Sequence, residues 1–180
     1  MIKLGARELR TTKASTGEIS QIKKNPIYII LDNVLDTYNV GAIFRLADAV
    51  AAEKVILCGE TEIPPNSRIK KASINTTEWI SWEYAPTAVE ALRKLKIKNE
   101  KLKIVAIEQS RKSVSYDKAD YQFPIALVVG NETAGVSPEV LKMADQIVEI
   151  PMWGVNKSLN VMVSLGIVLF EAMKSISITD

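Results

Sequence analysis

Four short polar clusters, each placed after an apolar run, stand out in this 180-residue chain as residues able to do chemistry. These are Asp32-Asn33, Glu108-Gln109, Gly130-Asn131-Glu132 and the loop 152–160. Histidine is absent, which removes Ser-His-Asp triads, imidazole general bases and zinc sites of the His/Cys kind. The single cysteine, Cys58, follows Val55-Ile56-Leu57 and reads as a small core residue at a strand end. Chemistry here must therefore use carboxylates, hydroxyls, amides, Lys or Arg. No G-x-G-x-x-G occurs among the eight glycines. Gly130 and Gly135 have the spacing of a P-loop, but Val136 stands at the Lys position and Glu132 would repel a phosphate. Kinase, NTPase and nicotinamide dehydrogenase chemistry fits this pattern poorly.

The last cluster sits in the stretch 150–161, which reads as a strand end, a tight polar loop and the first turn of a long helix. Gly154, Asn156 and Asn160 supply turn chemistry, and Ser158 stands where an N-cap is expected before the apolar run 159–169. Val161, Met162, Val163, Leu165, Ile167, Val168, Leu169 and Phe170 make that helix apolar nearly all round, which predicts a buried helix.

Short apolar runs at 27–31, 54–58, 78–84, 102–107, 124–129 and 146–150 read as strands. Helical patterns lie between them at 39–52, 66–73, 88–96 and 138–143, the last with Pro at its first position. In 39–52, Ile43, Leu46, Ala47 and Val50 share one face, and Gly41, Arg45 and Asp48 share another. This alternation predicts an α/β fold with a mainly parallel sheet in one unit, 26–180, preceded by a basic N-terminal extension, 1–25, holding a short helix and a loose connector.

Hydrophobic residues make up 47% and charged residues 24% of the chain, an ordinary globular balance. No apolar run approaches the roughly 20 residues of a membrane span, and no secretory signal is evident, so a cytoplasmic location is expected. The single cysteine excludes an intrachain disulfide. Net charge is only +2, yet basic residues cluster. Lys3, Arg7, Arg10, Lys13, Lys23 and Lys24 face only Glu8 and Glu18 in the first 24 residues, and further clusters are Arg68, Lys70, Lys71 and Arg93, Lys94, Lys96, Lys98, Lys101, Lys103. Such runs are commonly solvated faces; three on one small domain also suit a nucleic-acid partner.

Three stretches resemble, in order and spacing, the three motifs of the SpoU/TrmH branch of the SPOUT RNA methyltransferases. They are Asn39-Val40-Gly41-Ala42-Ile43-Phe44-Arg45, Val129-Gly130-Asn131-Glu132-Thr133-Ala134-Gly135, and Ile150-Pro151-Met152 with Ser158-Leu159-Asn160-Val161. The resemblance covers residues 26–175. It implies methyl transfer from S-adenosyl-L-methionine to a ribose 2′-hydroxyl in tRNA or rRNA, without a metal. It also implies a deep C-terminal trefoil knot, with 128–159 threaded, which only a family likeness justifies expecting. A homodimer follows too, with the closing helix and the 39–52 helix near its interface.

By the same resemblance Arg45 engages the 2′-hydroxyl and its neighbouring phosphate. Its guanidinium suits phosphate positioning better than general-base action, since its pKa exceeds about 12. Asn39 caps its helix and orients Arg45, Glu132 orders the site, and Ser158 and Asn160 approach the reacting hydroxyl. Gly130, Ile150 and Leu159 offer backbone groups to the cofactor, with Ile107 as an apolar wall and Met152 and Ser158 in the cofactor loop. Plainer readings stand beside these: an i,i+3 pair of Arg45 with Asp48, a simple cap at Asn39, a helix-start acid at Glu132, and capping by Ser158 or Asn160.

Met162 departs from the small polar residue common after Asn-Val in the third motif. No appended RNA-binding domain is recognisable, which would leave substrate choice to the basic N-terminal segment, the 68–71 cluster and the partner subunit. The rival expectations are a catalytically inactive RNA-binding module of the same fold, a base-directed RNA methyltransferase and a small-molecule nucleotide-binding enzyme.

Overall fold

In a computed structural model of the protein, residues 15–176 are described, together with Gly5 and Glu8. Lys3, Arg7, Arg10 and Lys13 of the basic extension lie outside the described residues. The first described helix is α1 (Thr16–Ser20), a single turn ahead of the sheet.

Seven strands follow: β1 (Asn25–Asp32), β2 (Ala52–Cys58), β3 (Trp82–Ala85), β4 (Lys103–Ile107), β5 (Val114–Ser115), β6 (Ile125–Gly130) and β7 (Gln146–Glu149). They form one sheet of order β3-β2-β1-β6-β4-β7-β5, and every pairing is parallel. The helices between them are α2 (Thr37–Ala49), α3 (Ser67–Ser73), α4 (Ala88–Lys98), α5 (Pro138–Met143) and α6 (Val161–Met173).

The continuous apolar runs of β1 and β6 have their cause in helices on both faces. Ile29 and Leu31 of β1 join Val105, Leu127 and Val129 in a core with Ile43, Phe44 and Ala47 of α2 and Leu165, Val168 and Leu169 of α6. Ile30, Ile56, Ala106 and Val128 point the other way, onto Ala88, Ala91, Leu92 and Leu95 of α4 and Val140 of α5. The expected parallel α/β architecture is therefore present, with helices on either side of the sheet.

Several local expectations are corrected. Helix α2 begins two residues before Asn39, because Asp36 is its N-cap and accepts from Tyr38 N at 2.7 Å. It ends at Ala49; Ala51 takes a left-handed conformation and Ala52 already belongs to β2. The aromatic stretch 78–84 divides into a 3-10 turn, Thr76–Glu78, and the shorter β3. The two-residue edge strand β5 carries no sequence pattern of its own. Helix α6 is not buried all round: Leu165, Val168, Leu169 and Ala172 are buried, while Val163 and Phe170 are exposed.

Parts of the basic clusters are ion-paired. Lys94 meets Glu83 at 3.4 Å and Lys96 meets Asp145 at 3.3 Å, whereas Arg68, Lys70 and Lys71 on α3 are exposed. Cys58 is fully buried at the end of β2, and burial pushes its thiol up to about 12, so it is chemically inert as expected.

Candidate active site

The four polar clusters meet at the carboxyl ends of β1, β4, β6 and β7, where open α/β sheets bind ligands. A cavity of about 510 Å³ opens there, within the usual range for small-molecule sites. Its walls are Ile107 after β4, Gly130 to Gly135 after β6, Glu149 and Ile150 after β7, and Met152, Ser158 and Leu159 of the following loop, with Asn160, Val161 and Ser164 at the start of α6. Among the described residues no Lys or Arg lines it, whereas Glu108, Glu132 and Glu149 all do.

The loop after β6 is shaped by backbone contacts. A Cβ on Gly130 would lie 2.2 Å from the carbonyl carbon of Gly135, so only glycine allows the two to approach. Asn131 and Gly135 then exchange both backbone hydrogen bonds, at 3.1 and 2.9 Å. The Asn131 side-chain oxygen accepts from Thr133 N and Ala134 N, Glu108 accepts from Val136 N, and buried Asp32 accepts from Ser137 N. All five amides from 133 to 137 thus have protein acceptors. This is the physical reason that a loop with P-loop glycine spacing cannot cradle a phosphate, which needs those N–H groups free.

Glu132 reaches out of this loop to the start of α2. Its carboxylate accepts from Leu35 N at 3.1 Å, Asp36 N at 3.1 Å and Asn39 Nδ2 at 3.0 Å. Burial pushes the carboxyl up, but the Asn39, Leu35 and Asp36 donors outweigh it and hold the group below its usual range. It is ionised at neutral pH and sits at a helix N-terminus, though at that of α2 rather than of the helix following it in sequence.

Asn39 in turn accepts from Asn160 Nδ2 at 2.9 Å through its own side-chain oxygen. Asn160 is the N-cap of α6, its oxygen accepting from Met162 N at 2.9 Å and Val163 N at 3.4 Å. Ser158 does not cap α6, which starts at Val161; its N–H instead donates to Asn156 Oδ1 at 3.2 Å. Asn39 does not cap α2 and does not orient Arg45. Both ends of its amide are engaged by Glu132 and Asn160.

The structure thus joins Asn39, Glu132 and Asn160 in one hydrogen-bonded chain and places Ser158 beside them on the cavity wall. Ile107, Gly130, Ile150, Met152 and Leu159 line the same cavity. Arg45 stands apart, exposed on α2 and outside the lining. It forms no pair with Asp48, whose carboxylate accepts from Trp79 Nε1 at 2.7 Å.

Three lining residues carry roles that the motifs alone did not assign. Glu108 accepts from Gln109 N at 2.8 Å as well as from Val136 N, and the Gln109 side chain donates to Lys157 O, tying the 152–160 loop to the end of β4. Ser164 lies one turn into α6 from Asn160. Its signal in the sequence was a lone hydroxyl four residues beyond an Asn in an otherwise apolar helix.

The model of the SpoU rRNA Methylase family matches residues 26–170. The chain is 36% identical over 163 residues to a tRNA (guanosine(18)-2′-O)-methyltransferase of Aquifex aeolicus, covering 87% of this chain and 73% of that protein. It is 32% identical to the 23S rRNA (guanosine-2′-O-)-methyltransferase RlmB of Ralstonia nicotianae, over 87% of this chain and 62% of that one. Among solved structures, the AdoMet-bound rRNA methyltransferase from Sinorhizobium meliloti superposes with a TM-score of 0.78 at 32% identity, over 88% of this chain and 60% of that one.

Proposed function

The chain belongs to the SpoU rRNA methylase family, and from that premise we propose how its own residues serve the reaction. The activity is transfer of a methyl group from S-adenosyl-L-methionine to a ribose 2′-hydroxyl of RNA, either tRNA or rRNA. The observation that carries the assignment of roles is the Glu132–Asn39–Asn160 chain at the mouth of a cavity that no basic side chain among the described residues lines.

The cavity suits this cofactor. Its apolar walls, three carboxylates and closed phosphate cradle favour a ligand that is cationic and carries no phosphate. When bound, S-adenosyl-L-methionine supplies an already activated sulfonium methyl, so in-line positioning of the acceptor hydroxyl accounts for much of the acceleration. Ile107, Gly130, Ile150, Met152, Ser158 and Leu159 hold it. Glu132, with three N–H donors on its carboxylate, orders the site and is not the proton acceptor. Asn160 and Ser158 face the ribose hydroxyl. Arg45, exposed and without an ion pair among the described residues, takes the neighbouring phosphate through its guanidinium fork.

The same proposal includes a unit 26–180 behind a basic extension 1–25, a cytoplasmic location, a homodimer and a C-terminal trefoil knot. Support for the knot is topological. The chain leaves β4 for the far edge at β5, returns inward to β6, then goes back to β7 between β4 and β5. The loop after β7 is bound to Gln109 on one side and, through Asn160, to Asn39 on the other.

The test is methyl transfer from isotopically labelled S-adenosyl-L-methionine to unmodified tRNA and rRNA, read by nucleoside mass spectrometry, with Arg45→Ala alongside. A labelled 2′-O-methylnucleoside that is lost in Arg45→Ala is expected. A base-methylated product would move the reaction to the base. No product, with RNA bound and cofactor not, would leave an RNA-binding module.

A further inference from the structure

Trp153 is 91% exposed and its neighbour Val155 fully so, on the loop whose Met152 and Asn156 line the cavity. The other two tryptophans behave conventionally. Trp79 packs on the core and donates its indole N–H to Asp48, and Trp82 packs on the same core. A large aromatic left in water forgoes the burial that Trp ordinarily obtains. Trp153 does so on the outer side of the cavity rim, its indole N–H without a protein acceptor among the described residues.

The charge around it is the reverse of the charge within. The cavity lining has carboxylates and no cation among the described residues, but Lys157 is exposed on the same loop as Trp153, and Arg111 and Lys112 are exposed just after the lining residue Gln109. The hydrogen bond from the Gln109 side chain to Lys157 O brings these two segments together. A turn in which Lys112 N donates to Ser110 Oγ at 3.3 Å, and Ser113 Oγ to Ser110 O at 2.6 Å, leaves Arg111 and Lys112 exposed. None of the three cations has an ion pair among the described residues.

We propose that Trp153 is a stacking platform for a base of the substrate RNA, set in a phosphate-binding rim of Arg111, Lys112 and Lys157. This rests on the RNA-methyltransferase reading and adds to it a residue that selects an unstacked nucleotide. Sequence-specific RNA recognition relies on such splayed bases stacked on aromatic side chains, and a flat indole accepts any base face. Charge complementarity decides between RNA and a second copy of the chain. An isologous contact through this rim would bring the same three cations of each copy together.

The experiment uses the full chain with two probes, an unmodified tRNA transcript pool and an unmodified 23S rRNA transcript. Both probes should quench the tryptophan emission of the native protein, and Trp153→Phe should abolish most of that change. Trp153→Ala should weaken RNA binding about ten-fold, the order of one lost base stack, while Trp153→Phe recovers part of it. Lys157→Gln should lower the slope of log Kd against log salt by roughly 0.7–0.9, a readout that a purely structural role would not move. Cofactor affinity by calorimetry and molar mass by light scattering should stay unchanged in all three variants.

Unchanged RNA affinity and quenching in Trp153→Ala would overturn the proposal. So would a lowered molar mass, which would make the residue a protein interface, or a weakened cofactor affinity, which would make it a lid. Failure of both RNAs to bind the native chain would overturn it too. Quenching that depends on Trp153 without any methylated nucleoside would keep the platform and remove the reaction, so the two readings fail separately.

Discussion

One amide, that of Asn160, serves two partners at once: its oxygen caps α6 through Met162 N and Val163 N, and its nitrogen reaches Asn39. Asn39 completes the line to Glu132, whose remaining acceptors take Leu35 N and Asp36 N. Three residues, Asn39 lying 93 positions from Glu132 and 121 from Asn160, therefore fix the starts of α2 and α6 relative to the loop after β6. Replacing Glu132 by Gln breaks this line whichever way the new amide turns. Its NH2 group faces an N–H donor, or Asn39 must flip and present its own NH2 to Asn160. Because the folded Glu132 carboxyl is held below its usual range, its stabilising effect is complete above the unfolded value of about 4.3 and is lost as pH falls through the lower folded value. Thermal melts of native protein and Glu132→Gln should differ at pH 7 and approach each other as pH falls through the lowered folded value, with methyl transfer impaired throughout the neutral range. A gap that stays constant from pH 7 down to the acid limit of the folded state would mean that the carboxylate charge contributes nothing. The motifs pointed to all three residues, but the cap was misplaced. Ser158 and Asn160 are equally good caps by type, and the choice between them was made by Asn39, a partner 121 residues away.

At the scale of elements, the close contact between α2 and α3 depends on Gly41. The sequence places Gly41 on a face with Arg45 and Asp48, yet the structure buries it, and a Cβ there would lie 2.6 Å from Ala72 Cβ and 2.7 Å from Ile69 O. A helical Gly→Ala change in open surroundings stabilises by roughly 0.5–1 kcal/mol. Here the obstruction includes a backbone oxygen, which cannot rotate aside, so the sign reverses. Gly41→Ala should lose about 1–3 kcal/mol in urea denaturation, with α3 and the 3-10 turn behind it the first to lose hydrogen-exchange protection. A stabilised variant would show that the two helices separate easily. β1 and β6 were legible because their buried stretches lie between helices on both faces and read as unbroken apolar runs, and α5 because Pro138 marks its start. Gly41 and β5 were not, for a common reason. The meaning of a glycine or of a Val-Ser pair depends on what lies across from it, on α3 for one and on β7 for the other.

At the scale of the whole molecule, α6 presents more apolar surface than one chain covers. Its inner face is closed by the sheet and by α2, where Leu46 reaches Gly166. On its outer face Val163 and Phe170, 40% and 52% exposed, lie seven residues apart with half-buried Ile167 between them. Leu35 and Tyr38, at the start of α2, are about half exposed as well. Hydropathy correctly marked α6 as a helix without a polar face, but it cannot say whether the cover comes from the same chain. The proposed homodimer supplies the missing half, since a two-fold contact lets one stripe meet its own copy. Phe170→Glu tests this without touching the core, because the side chain is already in water within a single subunit. The native protein should run as a dimer by light scattering, and Phe170→Glu as a monomer with an unchanged circular dichroism spectrum. Cofactor affinity and methyl transfer should fall with dissociation, since α6, whose first turn places Asn160, Val161 and Ser164 on the cavity wall, then loses the cover on its outer face. A native monomer, or a Phe170→Glu variant that keeps the dimer mass, would take the α6 stripe out of the interface and leave its exposure to another partner.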